Sequence, residues 1–281
     1  MRKDQLGLVV GAVLLGTTVW VSNPALAGAG QTGTPVRAAA KRPDLSGIWQ
    51  AANEANWDLE GHAAQPGPYP QLLGGWGAAP PSLGVVEGGQ IPYLPAALEK
   101  KKKNFETRMQ VDPFNRSLGD PELKCFLPGV PRATYLPYPF QIVQATANIM
   151  IAYEYDNAVR MINMGKPTTA DSDSWMGHSN GRWEGDSLVV DVTGFNGEAW
   201  LDRTGNYTTD GTRVTERYTR TSPDVLMYEA TIEDPQVFSR PWKIKMPLFR
   251  RSEPAMQLLE FKCVEFAEEL LYGKLRKQPA R

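Results

Sequence analysis

The sequence predicts a mainly β protein, an antiparallel meander of strands that closes into a barrel. Three observations predict it. Side chains alternate in polarity along several stretches after residue 140, the period that a strand imposes. Turn-forming residues stand between those stretches. No internal repeat or domain boundary interrupts them, so one β-rich domain with long decorations fits the 281 residues.

The clearest hairpin joins Thr212–Arg220 to the stretch that begins at Leu226. Thr212, Val214, Glu216 and Tyr218 share one face of the first strand. Leu226, Tyr228, Ala230 and Ile232 share one face of the second. Between them lies Ser222-Pro223-Asp224, where the proline presets the dihedral that the turn needs. Upstream, Trp183–Ser187 reads as a second turn feeding Leu188–Val192. Two successive hairpins must pack on something or close on themselves.

From the N-terminus, Arg2 and Lys3 precede an apolar run, Leu6–Val21, and Ala25-Leu26-Ala27 fits a small-x-small cleavage site. These features predict a signal peptide, residues 1–27, cut after Ala27. The alternative is a single membrane anchor, which needs a run of about 20 apolar residues. Export places the mature protein in the periplasm or outside the cell, with no membrane partner after cleavage. Residues 28–43 read as a flexible leader, 44–275 as the domain and 276–281 as a tail. Asp44–Gln50 opens the domain. Residues 51–94 are dense in Gly and Pro, yet carry Trp57, Tyr69, Trp76 and Tyr93, so they are expected to lie against the barrel, across a mouth. Pro95–Arg108 reads as a helix with proline in its first turn. Lys124–Arg132 holds too much Pro and Gly for regular structure and reads as a shaped loop. Phe140–Gln144 and Ile149–Tyr155 form a hairpin around Ala145–Asn148. Val159–Met164 continues the meander, and Lys166–Ser174 is a polar loop. Trp242–Leu248 is a further strand, Gln257–Lys262 the last one, and Val264–Leu275 a closing helix.

The formal net charge of -1 gives no footprint for nucleic acid. Lys100–Lys103, the only basic run, reads as a solvated helix face. Two cysteines, Cys125 and Cys263, in an oxidising compartment predict a disulfide; a cysteine-ligated metal would lack nearby partners. There is no dinucleotide fingerprint, phosphate loop, nucleophile elbow or zinc-protease motif, so no cofactor is expected. His62 and His178 are the only histidines, too few for a multi-histidine metal site. Asp171-Ser172-Asp173 lacks the Gly and distal Glu of a calcium loop and reads as a solvated turn.

At KCFLPGVPR, PYPFQIVQ, WMGHSNGRWEGDSLVVDVTGFN, WLDRTGN, TERYTR, YEATIEDP and FSRPWKIKMPL the chain resembles a widespread family of exported bacterial hypothetical proteins. The resemblance runs from Asp44 to Gly273. It implies an exported, β-rich domain and brings no established activity. The chain departs from that pattern at Thr208-Thr209-Asp210, where relatives often have His-Ser-Asp, and at His178, where they often have an aromatic residue. Gly47-Ile48-Trp49 is similar to the opening strand of lipocalin-like barrels, in which the Trp closes one end; the plainer reading is a Trp that plugs a core.

His178, beside Trp175, can exchange protons near neutral pH, or it is simply a hydrogen-bonded loop histidine. His62, in the aromatic loop, has less support. Asp202, in Trp200-Leu201-Asp202-Arg203, reads as a base or as an orienter of His178, against the plainer reading of a loop cap. Glu216 shares a face with Tyr218 and points inward, where Arg160 or Arg217 could partner it; a structural buried pair is the plainer reading. Lys124 and Arg132 could bind a carboxylate or phenolate, or Arg132 could brace its loop. Trp57, Trp76, Trp175 and Trp200 stand in loops that could line the mouth of an apolar cavity.

These readings favour an exported, cofactor-independent enzyme acting on a small apolar or aromatic molecule by acid–base chemistry, of lyase, isomerase or hydrolase type, in a barrel cavity. His178, Asp202, Glu216 and Arg160 would be catalytic, and His178 and Asp202 are expected to share one pocket. Trp175, Trp200, Tyr218, Arg132, Trp57 and Trp76 would bind the ligand. A lipocalin-like carrier without catalysis and an envelope interaction domain are the alternatives. The ionisable groups between Trp175 and Tyr218 tilt the choice toward an enzyme.

Overall fold

A computed structural model describes residues 42–67, 77–108, 110, 118–265 and 267–272. The signal peptide, most of the leader, Tyr69, Trp76 and the 276–281 tail lie outside the described residues. The chain forms strands β1 (Gly47–Ala51), β2 (Gln65–Pro66) and β3 (Ala78–Ala79), then helices α1 (Pro95–Thr107) and α2 (Arg132–Tyr135). There follow β4 (Phe140–Gln144), β5 (Asn148–Tyr153), β6 (Val159–Asn163), β7 (His178–Glu184) and β8 (Ser187–Thr193). Strands β9 (Arg213–Ser222), β10 (Val225–Glu233) and β11 (Trp242–Arg250) and helix α3 (Ala267–Tyr272) complete the chain.

Nine strands close a barrel in the order β1-β11-β10-β9-β8-β7-β6-β5-β4, while β2 and β3 pair apart from it. Closure rests on β1, which pairs with β11 on one side, Trp49 opposite Arg250, and with β4 on the other, Trp49 opposite Phe140. The predicted hairpins form, with Tyr218 opposite Tyr228 and Tyr228 opposite Met246. The period-2 pattern explains them: Val214, Glu216 and Tyr218 on β9, Leu226, Tyr228, Ala230 and Ile232 on β10, and Trp242, Ile244, Met246 and Leu248 on β11 all point inward and are buried.

The sheet departs from a pure antiparallel meander at one seam. β6 and β7 pair in parallel, Ile162 with Ser179 and Asn163 with Asn180. The polar stretch between them, about a dozen residues, is long enough for the return that a parallel pair needs. Gln257–Lys262 is not a strand. Its backbone is taken up by side chains instead: Leu259 N–H donates to Glu154 at 2.9 Å and Asn157 donates to Phe261 O at 3.1 Å. The Phe261 ring meets Tyr138 and Tyr155 at 5.1 and 5.0 Å, so this segment straps the barrel wall rather than extending its ladder. The described closing helix is shorter than expected, Ala267–Tyr272. The Cys125–Cys263 disulfide is present, with Cα atoms 5.7 Å apart across 138 residues, and anchors that strap.

The barrel interior is filled. Trp49, Phe140, Ile142, Ile151, Ile162, Val190, Val192, Ile232 and Ile244 have essentially no accessible surface, which leaves no water-sized void beside them. Each such aliphatic chain contributes about 1.5–3 kcal/mol by burial. Among the described residues these buried side chains leave no room for the cavity expected inside the barrel.

Candidate functional site

The polar groups inside the barrel bond mainly to one another, although Arg160 Nη1 and the Tyr153 hydroxyl are buried without a hydrogen-bond partner among the described residues. Glu216, 0% exposed, accepts from Tyr228 at 2.7 Å, from Tyr218 at 3.0 Å and from the Arg160 guanidinium. Arg160 Nε donates to Ser179 Oγ at 2.8 Å. Burial and then the Glu216 charge hold the Tyr218 and Tyr228 phenols well above their ordinary range. The bonds of Glu216 to Tyr218, Tyr228 and Arg160 make this cluster an internal polar clasp, the buried pair that is the plainer reading of Glu216 and Arg160; Arg160 and Ser179 also line the groove that holds His178.

A concave site lies instead beside the barrel. It takes shape where the loop 57–67, the end of α1 and the segment 118–124 meet the loop 201–206. Asp202 organises this junction. Its carboxylate accepts from the Leu59 N–H at 3.0 Å, the Thr204 N–H at 2.9 Å, the Thr204 hydroxyl at 2.8 Å and the Asn206 amide at 2.6 Å. Burial pushes its pKa up, and these donors oppose that by favouring the ionised form. Gly84, at φ +71, lets the returning segment approach the loop; a Cβ there would stand 2.9 Å from Leu59 O. On the other side Asn104 donates to Gly205 O at 3.1 Å and docks α1 on the same loop, which brings Phe105 and Arg108 to the site.

Beneath runs a buried ion network. Arg132, 1% exposed, is held by both oxygens of Asp120 at 2.8 Å and by Asn56 at 2.9 Å. Arg203 grips Glu122 at 2.8 and 3.1 Å. Burial works against the Arg132 charge, but Asp120 and Glu122 outweigh it and hold the guanidinium above its usual range. Arg132 is therefore a brace, held through carboxylates, and not a ligand-binding group.

These segments enclose a pocket of about 130 Å³. Trp57, Phe105, Leu123 and Pro66 supply apolar wall, and Asp58, His62, Arg108 and Arg203 supply polar groups. The Arg203 guanidinium lies 4.6 Å from the Trp57 ring centre. Asp58 Oδ1 accepts from the Glu60 N–H at 2.9 Å, and Oδ2 has no partner among the described residues. Burial, then the negative charge of Asp202, pushes the Asp58 carboxyl up to about 6. His62 Nδ1 lies 2.9 Å from Ala63 O, to which it donates, and Nε2 is buried without a hydrogen-bond partner among the described residues. Among the described residues no group of three or more His, Cys, Asp or Glu side chains is placed to hold a metal ion.

No protein-family model matches the chain, and no curated protein matches it.

The four residues expected to be catalytic do not converge on one site, although Arg160 and His178 both line one groove. Arg160 and Glu216 meet inside the barrel, Asp202 is 0% exposed at the loop junction, and His178 is half-buried and bonded to the Thr168 hydroxyl at 2.8 Å. His178 and Asp202 share no pocket and no hydrogen bond. Trp175 stacks on Phe126 at 5.1 Å and lines a separate open groove of about 320 Å³ with His178. Trp200 is buried and faces Tyr207 beside Lys100. Of the aromatics proposed to bind ligand, Trp57 alone among the described residues lines the pocket beside the barrel. Asp58, Phe105 and Arg108 escaped the sequence reading; the Trp57-Asp58 pair in the aromatic loop was the available signal.

Proposed function

We propose that the protein is an exported enzyme that binds a small, one-ring molecule in the pocket beside the barrel and moves a proton on it with Asp58. Uncommitted carboxylate oxygen against aromatic wall is the observation that carries this reading. A base poised near neutral pH takes a proton readily and returns it readily, which is what elimination and isomerisation require. Asp58 would accept a proton from one atom of the ligand and deliver it to another, or to a leaving group. Size follows from volume: a cavity of about 150 Å³ holds benzene, so 130 Å³ takes no more than one ring, and any substituent would project through the pocket's open side.

Export is supported by the charged start, apolar run and cleavage site, and by the disulfide, which suits an oxidising compartment. The barrel is lipocalin-like in its Gly47-x-Trp49 opening, with Trp49 buried beneath Arg250 at 4.4 Å, but the proposed ligand position is outside the barrel. A carrier is the second reading, favoured by the apolar wall of Trp57, Phe105, Leu123 and Pro66, which can hold a ring without acting on it. Screening monocyclic compounds for turnover by NMR separates the two. Turnover lost on Asp58→Asn, with binding retained, supports the enzyme; binding without turnover of any bound compound supports the carrier.

A further inference from the structure

The pocket's charges are unequally satisfied. Asp120 is matched by Arg132, and Arg203 by Glu122. Arg108 also lines the pocket, half-buried, yet has no carboxylate partner among the described residues. One of its N–H groups donates to Phe105 O, a helix-end contact that uses a fraction of the fork. Its guanidinium carbon lies over Phe105, 3.8 Å from the ring centre, a cation–π contact that holds it at the pocket wall. Burial lowers its pKa, the mark of a cation that has lost water without gaining an anion.

We infer that the pocket takes a monocyclic carboxylate, whose anionic end meets the Arg108 fork while its ring lies against Trp57 and Phe105. This rests on the reading of the pocket as the ligand site and adds the ligand's charge. A planar carboxylate matches the guanidinium fork with two parallel N–H···O bonds, which a neutral hydroxyl cannot do. Arg108 is then the group that selects and orients, and Asp58 the group that acts on the ring or its substituent.

Benzoate and benzyl alcohol test this, as rings of the same size that differ in charge. Both are titrated into the full-length mature protein at pH 7.5, with binding read by calorimetry and saturation-transfer NMR. The expected result is benzoate binding at least about tenfold tighter than benzyl alcohol, the scale of one charge-assisted hydrogen bond. Arg108→Met should erase that preference and leave benzyl alcohol within about twofold, while Arg108→Lys, which keeps the charge but not the fork, should retain part of it. Equal affinity of the two rings for the unaltered protein overturns the inference and leaves the pocket reading standing, as does a benzoate preference that survives Arg108→Met. Binding of neither ring overturns both.

Discussion

Asp58 shows how one side chain can carry opposite consequences for stability and for chemistry. Its carboxyl is raised from the ordinary aspartate value to about 6, so the fold disfavours its ionised form. A carboxyl raised on folding keeps protons that the unfolded chain has released. Stability therefore falls as pH rises from near 4 through 6. Asp58→Asn should raise stability at pH 7.5 by about 1–2 kcal/mol after allowance for solvent screening, and the gain should vanish near pH 4. Calorimetric melting of both proteins across that range checks it. Turnover should rise through pH 6 as Asp58 ionises, and Asp58→Asn should cost about 100-fold or more. His178→Ala, by contrast, should leave ligand affinity unchanged, because His178 lies in another groove. Asp58 was hard to see in the sequence because nothing in an irregular loop tells which carboxylate will be buried beside a second one. Glu216 was easier: its place in a strict alternation set it inward, and the plainer reading of a buried pair with Arg160 is what the barrel contains.

At the level of elements, strand periodicity was legible and loop architecture was not. Inward positions of β9, β10 and β11 follow directly from alternation, because a slip of one residue would turn Glu216 and its neighbours to solvent. The parallel seam between β6 and β7 leaves no such trace, since it depends on where a long polar loop returns. Gln257–Lys262 carries a strand-like composition but meets side-chain acceptors and rings in place of a strand edge. The ion network under the site is equally non-local, joining Asn56, Asp120, Glu122, Arg132 and Arg203 from four segments. Arg132→Met would strand Asp120 as a buried, unpaired carboxylate and should cost about 3–5 kcal/mol, read by urea unfolding. Asn104→Ala should cost about 1–2 kcal/mol by freeing Gly205 O. It should also weaken ring binding, because the turn of α1 that bears Phe105 and Arg108 would lose its dock.

For the whole molecule, the fold is a packed barrel that serves as a wall, with its decorations forming the site. The disulfide ties the pocket-side segment near Cys125 to the C-terminal strap across 138 residues. Replacing both cysteines with serine should cost up to about 5 kcal/mol in the chain-entropy view, seen as a lower melting temperature that reductant reproduces in the unaltered protein. The site belongs to the loops because the described core side chains of the barrel have almost no accessible surface, while the pocket beside it is lined by loop residues and the end of α1. The decisive measurement is therefore where a ring binds. Benzyl alcohol titrated into isotope-labelled protein should perturb the Trp57 indole and the Phe105 ring resonances saturably and leave the methyl groups of Ile151, Val190 and Ile244 unmoved. Saturable shifts centred on those three core residues, with Trp57 silent, would place the guest inside the barrel and contradict this account.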